Sequence, residues 1–371
     1  MWNRGGDKMS FKDHDRFKVN EPYYNGYRLL STPDKNGEKP EIFIASTNRS
    51  AGKTIFYNGY AVHKFISDGK KFLLLYRNKY EVDKAAENFF AQIGELFYPG
   101  LSMVQGKGIK NVFDKIYLCD DADETSVELC GYATSLRASE QIKKYSSLLA
   151  DVDLVIFDEV FPENDAYLPN EVQKLISVHD SLARGHGKQA RYLPMILIGN
   201  LINVFNPYYE TLGVVDTLKL ETNFMRGDGW VIEQGFNSAS ADAHKESAFH
   251  KALSANDYVS ASQEKKYLNT SYQFIDNSLV DCGIYICTVV YNKKEYSVRY
   301  NEQFDFYFCG TQPDPSCRLK HAATEEDISE NAIYDPEARY RKVLRKRYRM
   351  NKLRFKNLEV RNAMMHFMLG K

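Results

Sequence analysis

A continuous apolar run, Glu41-Ile-Phe-Ile-Ala45, leads through Ser46 into Thr47-Asn48-Arg49-Ser50-Ala51-Gly52-Lys53-Thr54 and then into a helical pattern that reaches about Ser67. Buried strand, short loop and helix in that order form a setting in which backbone N–H groups at a helix N-terminus can wrap an anion. Within such a loop Lys53 would reach β/γ-phosphates and the Thr54 hydroxyl would ligate Mg²⁺. Thr47 stands where the usual pattern has its first glycine, which removes some backbone freedom but leaves the lysine and hydroxyl roles intact. An ordinary strand-to-helix turn has the same outline, so the loop by itself leaves both readings open.

Val152-Asp-Leu-Val-Ile-Phe-Asp-Glu159 narrows the choice: it is an apolar strand ending in two acids. That form is expected where Asp158 holds an Mg²⁺ shell and Glu159 polarises an attacking water. An isolated pair of strand-end acids would be a solvated turn, but loop and acid pair in this order, each after a buried run, point to nucleotide hydrolysis. The stretch Leu168 to Gly185 reads as a helix with Pro169 in its first turn, Leu168, Val172, Leu175, Ile176 and Leu182 on one face, and Gly185 as C-cap. Arg184 then lies at the helix C-terminus, where it either offsets the helix dipole or reaches a neighbouring subunit's γ-phosphate. Met195 to Ile198 is another apolar strand, and Asn200 beyond it is either a turn residue or a sensor of the γ-phosphate.

Apolar runs covered on both faces, at Glu41 to Ala45, Phe72 to Tyr76, Leu154 to Phe157 and Met195 to Ile198, predict a parallel sheet and an α/β domain. A helix is expected over Val82 to Leu96, and a hairpin-like insertion from Val112 to Cys119 and Val127 to Leu136. At 371 residues two domains are expected. Residues 1–40 are polar and read as an arm, 41–222 as the α/β domain, 223–268 as a connecting segment without strands, and 269–371 as a smaller α+β domain. Its strands are expected from Tyr272 and at Gly283 to Tyr291, Glu295 to Tyr300 and Phe304 to Cys309. No window approaches the ~20 apolar residues of a membrane span. Met1 to Asn20 lacks the apolar core of a secretory signal. The six cysteines (Cys119, Cys130, Cys282, Cys287, Cys309 and Cys317) form no CxxC pair, which fits a reducing cytosol.

Lys+Arg and Asp+Glu balance at 49 each, and that zero conceals a polarity. Between Arg339 and Lys371 there are 12 basic residues and one acid, Glu359, so an acidic body carries a basic end. Tyr340 to Lys356 reads as an amphipathic helix with Tyr340, Val343, Leu344 and Tyr348 on its apolar side. Its Arg345, Lys346, Arg347 and Arg349 form a face that is either solvated or bound to a phosphate backbone or acidic partner.

The 47–54 loop with Arg49, Gly52, Lys53 and Thr54, the VIFDE strand, the LPNEV helix start, Gly199 to Tyr209 (GNLINVFNPYY) and Lys352 to Met368 together resemble the phi29-type DNA packaging ATPases of small tailed phages. The resemblance implies a P-loop ASCE-type ATPase domain with a parallel central sheet, joined by a helical linker or lid to a smaller α+β domain resembling RNase H without its catalytic acids. Nuclease activity is not expected. It implies ATP and Mg²⁺ as cofactors, and a homo-oligomeric, pentameric ring at the portal (connector) of an empty procapsid, moving double-stranded DNA inward; a packaging RNA is a further partner left open, and no membrane is involved. The setting is the host cytoplasm, with transient docking at the portal vertex and absence from the mature virion. Lys53 and Thr54 match the family's loop, Asp158 and Glu159 its acid pair, Arg184 its trans-acting arginine finger, Arg49 an arginine within the loop, and Arg77 a basic residue after the second strand, which the resemblance adds to residues 47–54 in binding the nucleotide; Lys79 and Lys144 match only approximately. The alternatives are another ASCE translocase or helicase, or a non-enzymatic nucleic-acid-binding scaffold.

Overall fold

The computed structural model describes residues 11–19, 23–163, 166–184, 190–200, 202, 204, 206–215, 217–218, 221–253, 259, 274–276, 283–350 and 352–369. The chain divides into two compact units, Met1–Leu268 and Asn269–Lys371.

Among the described residues the first unit is built on a nine-stranded sheet. Its strands are β1 (Ile42–Thr47), β2 (Lys71–Tyr76), β3 (Leu101–Ile109), β4 (Phe113–Asp120), β5 (Asp123–Ser135), β6 (Val152–Phe157), β7 (Met195–Asn200), β8 (Phe224–Arg226) and β9 (Trp230–Gln234), in the order β3-β4-β5-β2-β6-β7-β1-β9-β8. From β5 to β9 every neighbour is parallel, so β1, β2, β5, β6, β7 and β9 end at one edge. The apolar runs are buried on both faces, as parallel strands require: Phe43, Phe72, Ile156 and Ile196 feed one core, and Ile44, Leu73, Val155 and Leu197 the other. Strand β7 lies between β1 and β6, which places the 47–54 loop and the Asp158-Glu159 turn on either side of it.

Several expectations need correction. The segment after residue 222 is not free of strands: β9 pairs in parallel with β1 from Ile42↔Trp230 to Ser46↔Gln234, so the sheet runs through the boundary expected at 222. Glu233 and Gln234 hide it from an apolar pattern, because both are buried polar residues. The insertion is a three-stranded antiparallel extension rather than a hairpin, since β3 pairs along β4. The helix expected over Val82 to Leu96 is two short ones, Ala85–Phe90 and Gly94–Phe97. The helix expected from Leu168 spans Glu171–Leu182, with Asn170 as N-cap, so Leu168 and Pro169 precede it; Ile176 is 50% exposed and leaves the apolar face. Gly185 lies outside the described residues, as do Tyr272 and Cys282. The arm from residue 11 onward packs on the unit through Phe11, Tyr24 and Leu29.

The second unit has a six-stranded sheet among its described residues: β10 (Ile284–Tyr291), β11 (Lys294–Asn301), β12 (Phe306–Gly310), β13 (Lys320–Ala322), β14 (Ala332–Ile333) and β15 (Leu353–Phe355), in the order β14-β13-β10-β11-β12-β15. Helices Arg339–Arg349 and Leu358–Leu369 contribute Leu344, Val360, Met364 and Phe367 to its core; the helix expected over Tyr340 to Lys356 ends at Arg349, because Leu353–Phe355 pairs with β12 as β15. Asp305, expected within a strand, lies in the turn before β12 with φ of 48°. No helix among the described residues is long and apolar enough to cross a membrane.

Candidate active site

The loop after β1 is shaped by two left-handed residues, Ser50 at φ 59° and Gly52 at φ 98°. Gly52 is the N-cap of the helix Lys53–Asp68, and its conformation favours a residue without Cβ. Lys53 therefore begins the helix with its side chain folded back under the loop, 5% exposed. Its Nζ donates to Thr47 Oγ1 at 2.6 Å, to Asn48 O at 3.3 Å and to Asn200 Oδ1 at 3.2 Å. Strand register brings these acceptors together, because Thr47 and Asn200 are partners at the ends of β1 and β7. Thr47, in the first-glycine position, thus gives the lysine an acceptor. Burial pushes the Lys53 ammonium down to about 8, against the opposing pull of the Asp158 and Glu233 carboxylates.

One residue on, Thr54 Oγ1 donates to Asp158 Oδ2 at 2.8 Å, joining the helix start to the turn after β6. Burial raises the Asp158 pKa, while the bonds from Thr54 and from the Glu159 N–H pull the other way. Glu159 itself is exposed and has φ of 54°, a conformation that a non-glycine residue adopts only when its surroundings impose it.

Arg77, expected at the nucleotide, is committed elsewhere. It is 7% exposed, and its guanidinium donates to Glu171 Oε2 at 2.9 Å and Oε1 at 3.0 Å, to Glu159 O at 3.0 Å and to Val160 O at 2.8 Å. It holds the Glu159 turn from beneath. Glu171 also accepts from Leu168 N at 2.7 Å and Tyr208 Oη at 2.7 Å, so the LPNEV and NPYY stretches meet at one buried carboxylate. Sequence reasoning missed Glu171 and Tyr208, although an acid near the start of an otherwise apolar helix face was a usable signal.

Asn48 turns from the loop's mouth toward the segment after β9. Its Oδ1 accepts from Asn237 N at 2.8 Å, and its Nδ2 donates to Asn237 O at 3.1 Å and Ser240 Oγ at 2.9 Å. Ser240 Oγ donates to Arg49 O at 3.0 Å, and His244 Nε2 lies 3.2 Å from Ser50 Oγ. Arg49 is ion-paired with Glu163, and Ala51 O accepts from Tyr24 N at 3.0 Å. Tyr24 Oη donates to Glu233, a second buried acid that the sequence did not single out. Arg184 is exposed just after its helix.

In the second unit two arginines of the expected basic face, Arg345 and Arg347, are half-buried and bonded within the unit. Arg345 donates to Met368 O, Arg347 Nη1 lies 3.0 Å from Asp305 Oδ1, and Arg341 is fully buried, donating to Phe367 O at 2.6 Å and Ala322 O at 2.8 Å. A guanidinium carries several donors in a fixed fork, which lets one arginine serve carbonyls from two elements at once. Lys346 is exposed, and the Arg349 side chain lies outside the described residues.

The podovirus DNA encapsidation protein family (Gp16) matches residues 20–371. The chain belongs to that family. The DNA packaging protein of Bacillus phage PZA is 24% identical over 345 residues, covering 92% of this chain and 95% of its own length, and that of Bacillus phage B103 is 25% identical over 289 residues, covering 77% and 82%. In fold the chain is similar to a subunit of the bacteriophage Phi-29 viral genome packaging motor assembly, with a TM-score of 0.57 and 22% identity across 92% of this chain and 96% of the other. It is likewise similar to the Phi-28 gp11 DNA packaging motor, with a TM-score of 0.55 and 15% identity across 95% and 99%. An ASCE-like mixed α/β fold is therefore common to this encapsidation protein and both motor subunits.

Proposed function

We propose that this chain is the ATP-hydrolysing subunit of a ring, pentameric by resemblance, that drives double-stranded viral DNA through the portal into a preformed procapsid. The observation that carries the reading is the convergence of Lys53, Thr47 and Asn200 beside the Thr54–Asp158 pair, in a chain of the encapsidation family. Lys53 exchanges its neutral acceptors for phosphate oxygens. Thr54 and Asp158 offer the hard oxygen donors that suit Mg²⁺, which when bound neutralises charge on the β/γ-phosphates. Glu159, exposed at the edge of the site, orients and deprotonates the water, and Asn200, between Lys53 and the Glu159 turn, senses the γ-phosphate. Arg184 of a neighbouring subunit stabilises the charge that develops in transfer. The part of 223–268 that follows β9 serves as the lid, bonded to Asn48 and Arg49 of the loop through Asn237 and Ser240. The 269–371 unit is the RNase H-like domain in a non-nuclease role, and the complex acts in the host cytoplasm at the portal vertex.

The test is steady-state ATP turnover. Lys53→Ala and Glu159→Gln should each abolish it while leaving the fold intact by circular dichroism; unchanged turnover in either would contradict the proposal.

A further inference from the structure

The antiparallel extension of the first sheet is charged unequally at its two ends. Its β4–β5 end carries Asp120, Asp121, Asp123 and Glu124, and β5 runs on past the start of β2, since Gly131 is already the partner of Phe72. The β3–β4 end carries Lys107 and Lys110 around Gly108 and Ile109. Strand directions decide where that end lies. Phe113 at the start of β4 pairs with both Ile109 and Thr134, near the C-terminus of β5, so the turn stands at the edge that holds the 47–54 loop and the Glu159 turn. By strand spacing it is about 14 Å from the end of β6, three strands away.

Both lysines are exposed or half-exposed, and among the described residues neither has an ion-pair or hydrogen-bond partner. Asp114, the acid nearest in sequence, is turned to Gln105, whose Nε2 donates to it at 2.7 Å. The turn is also built rather than loose. Register shifts between Gly106 and Ile109, Asn111 has φ of 66°, and a Cβ at Gly108 would stand 2.3 Å from Phe113 O. Lys79 Nζ donates to Asn111 Oδ1. Lys79 follows Arg77 by two residues, so one short segment grips the Glu159 turn with Arg77 and this turn with Lys79.

We propose that the β3–β4 turn is a sequence-independent contact for the DNA phosphate backbone, made by Lys107 and Lys110 and tied to the hydrolysis site through residues 77–79. Uncommitted lysines on a rigid turn suit phosphates, which carry no sequence information, and the acidic opposite end would repel the duplex. The inference rests on the motor reading.

The experiment measures binding of the full-length chain to a random-sequence duplex across a salt series, together with ATP turnover without DNA. Removing one lysine–phosphate pairing lowers the salt slope by about 0.9, so Lys107→Glu/Lys110→Glu should lower it by about 2 per engaged subunit. Turnover without DNA should stay at the wild-type level, and its stimulation by DNA should fall. Asp121→Asn/Glu124→Gln should not weaken binding. A wild-type slope in the lysine variant overturns the inference and leaves the motor reading standing, as does normal DNA binding with impaired attachment to procapsids, which would assign the lysines to a protein partner. A wild-type chain that binds no DNA overturns both.

Discussion

Lys53 holds a charge in a place that disfavours it, and that sets a pH limit on nucleotide binding. With its pKa near 8 in the free chain, the lysine loses its proton at pH values where an exposed lysine keeps it. Phosphates stabilise the ammonium, so binding takes up a proton above about pH 8, and ATP affinity should fall with rising pH by up to about tenfold per unit. Titration calorimetry in buffers of different ionisation enthalpy would measure that uptake; pH-independent affinity from about 7.5 to 9.5 would contradict it. Free of ligand, the same lysine has the opposite effect on folding: its charged form is disfavoured only in the folded chain, so this group's contribution to stability rises as pH increases from about 8 toward the ordinary lysine value. Arg77 makes the other prediction at this scale. Arg77→Ala leaves Glu171 buried without its cation and should cost about 3–5 kcal/mol in denaturant unfolding. A cost under about 1 kcal/mol would mean that the pair is solvated. Because the same guanidinium holds the Glu159 and Val160 carbonyls, any Arg77 variant that folds should also lose turnover, with little change in nucleotide affinity.

The elements that place the site are those whose local pattern and tertiary role agree. The strands at 42–47, 152–157 and 195–200 are buried on both faces, and their uninterrupted apolar runs announce them. Lys53, Thr54, Asp158 and Asn200 follow, because each stands at a strand end or helix start. Strand β9 escapes the same pattern because its last two residues are a buried acid and a buried amide, partnered by Tyr24 and by the Thr222 carbonyl, which no local pattern reveals. Arg77 is misread for a related reason: a basic residue after a strand does not reveal that a glutamate 94 positions later will claim it. The basic helix at 339–349 likewise conceals Arg341, Arg345 and Arg347, whose partners are carbonyls and one carboxylate in other elements. The helix Glu171–Leu182 carries a prediction of its own. It delivers Arg184 to an exposed position at its C-terminal end. If the arginine works in trans, Arg184→Ala should lower turnover about 10³-fold or more, and mixing with Lys53→Ala subunits should restore part of it. No recovery on mixing would assign Arg184 to the helix dipole.

For the molecule as a whole, the zero net charge is the sum of unlike parts. An acidic body and a basic end balance in sequence; Arg341, Arg345 and Arg347 of that end hold the second unit together, and Lys107 and Lys110 add localised cations in the first. A nearly neutral protein with a few localised cations suits a motor that must let go of DNA after each step, since every further phosphate contact strengthens binding at moderate salt. The 269–371 unit has its own core of Val289, Leu344, Phe355 and Phe367 around its sheet, as expected of a separately folding domain. The most direct measurement of the motor is ATP-dependent protection of DNA. Purified protein, empty procapsids and duplex DNA are combined with ATP, then challenged with nuclease. Wild-type protein should leave genome-length DNA protected, and Lys53→Ala protein or omission of ATP should leave none; equal protection with and without ATP would contradict an ATP-driven motor.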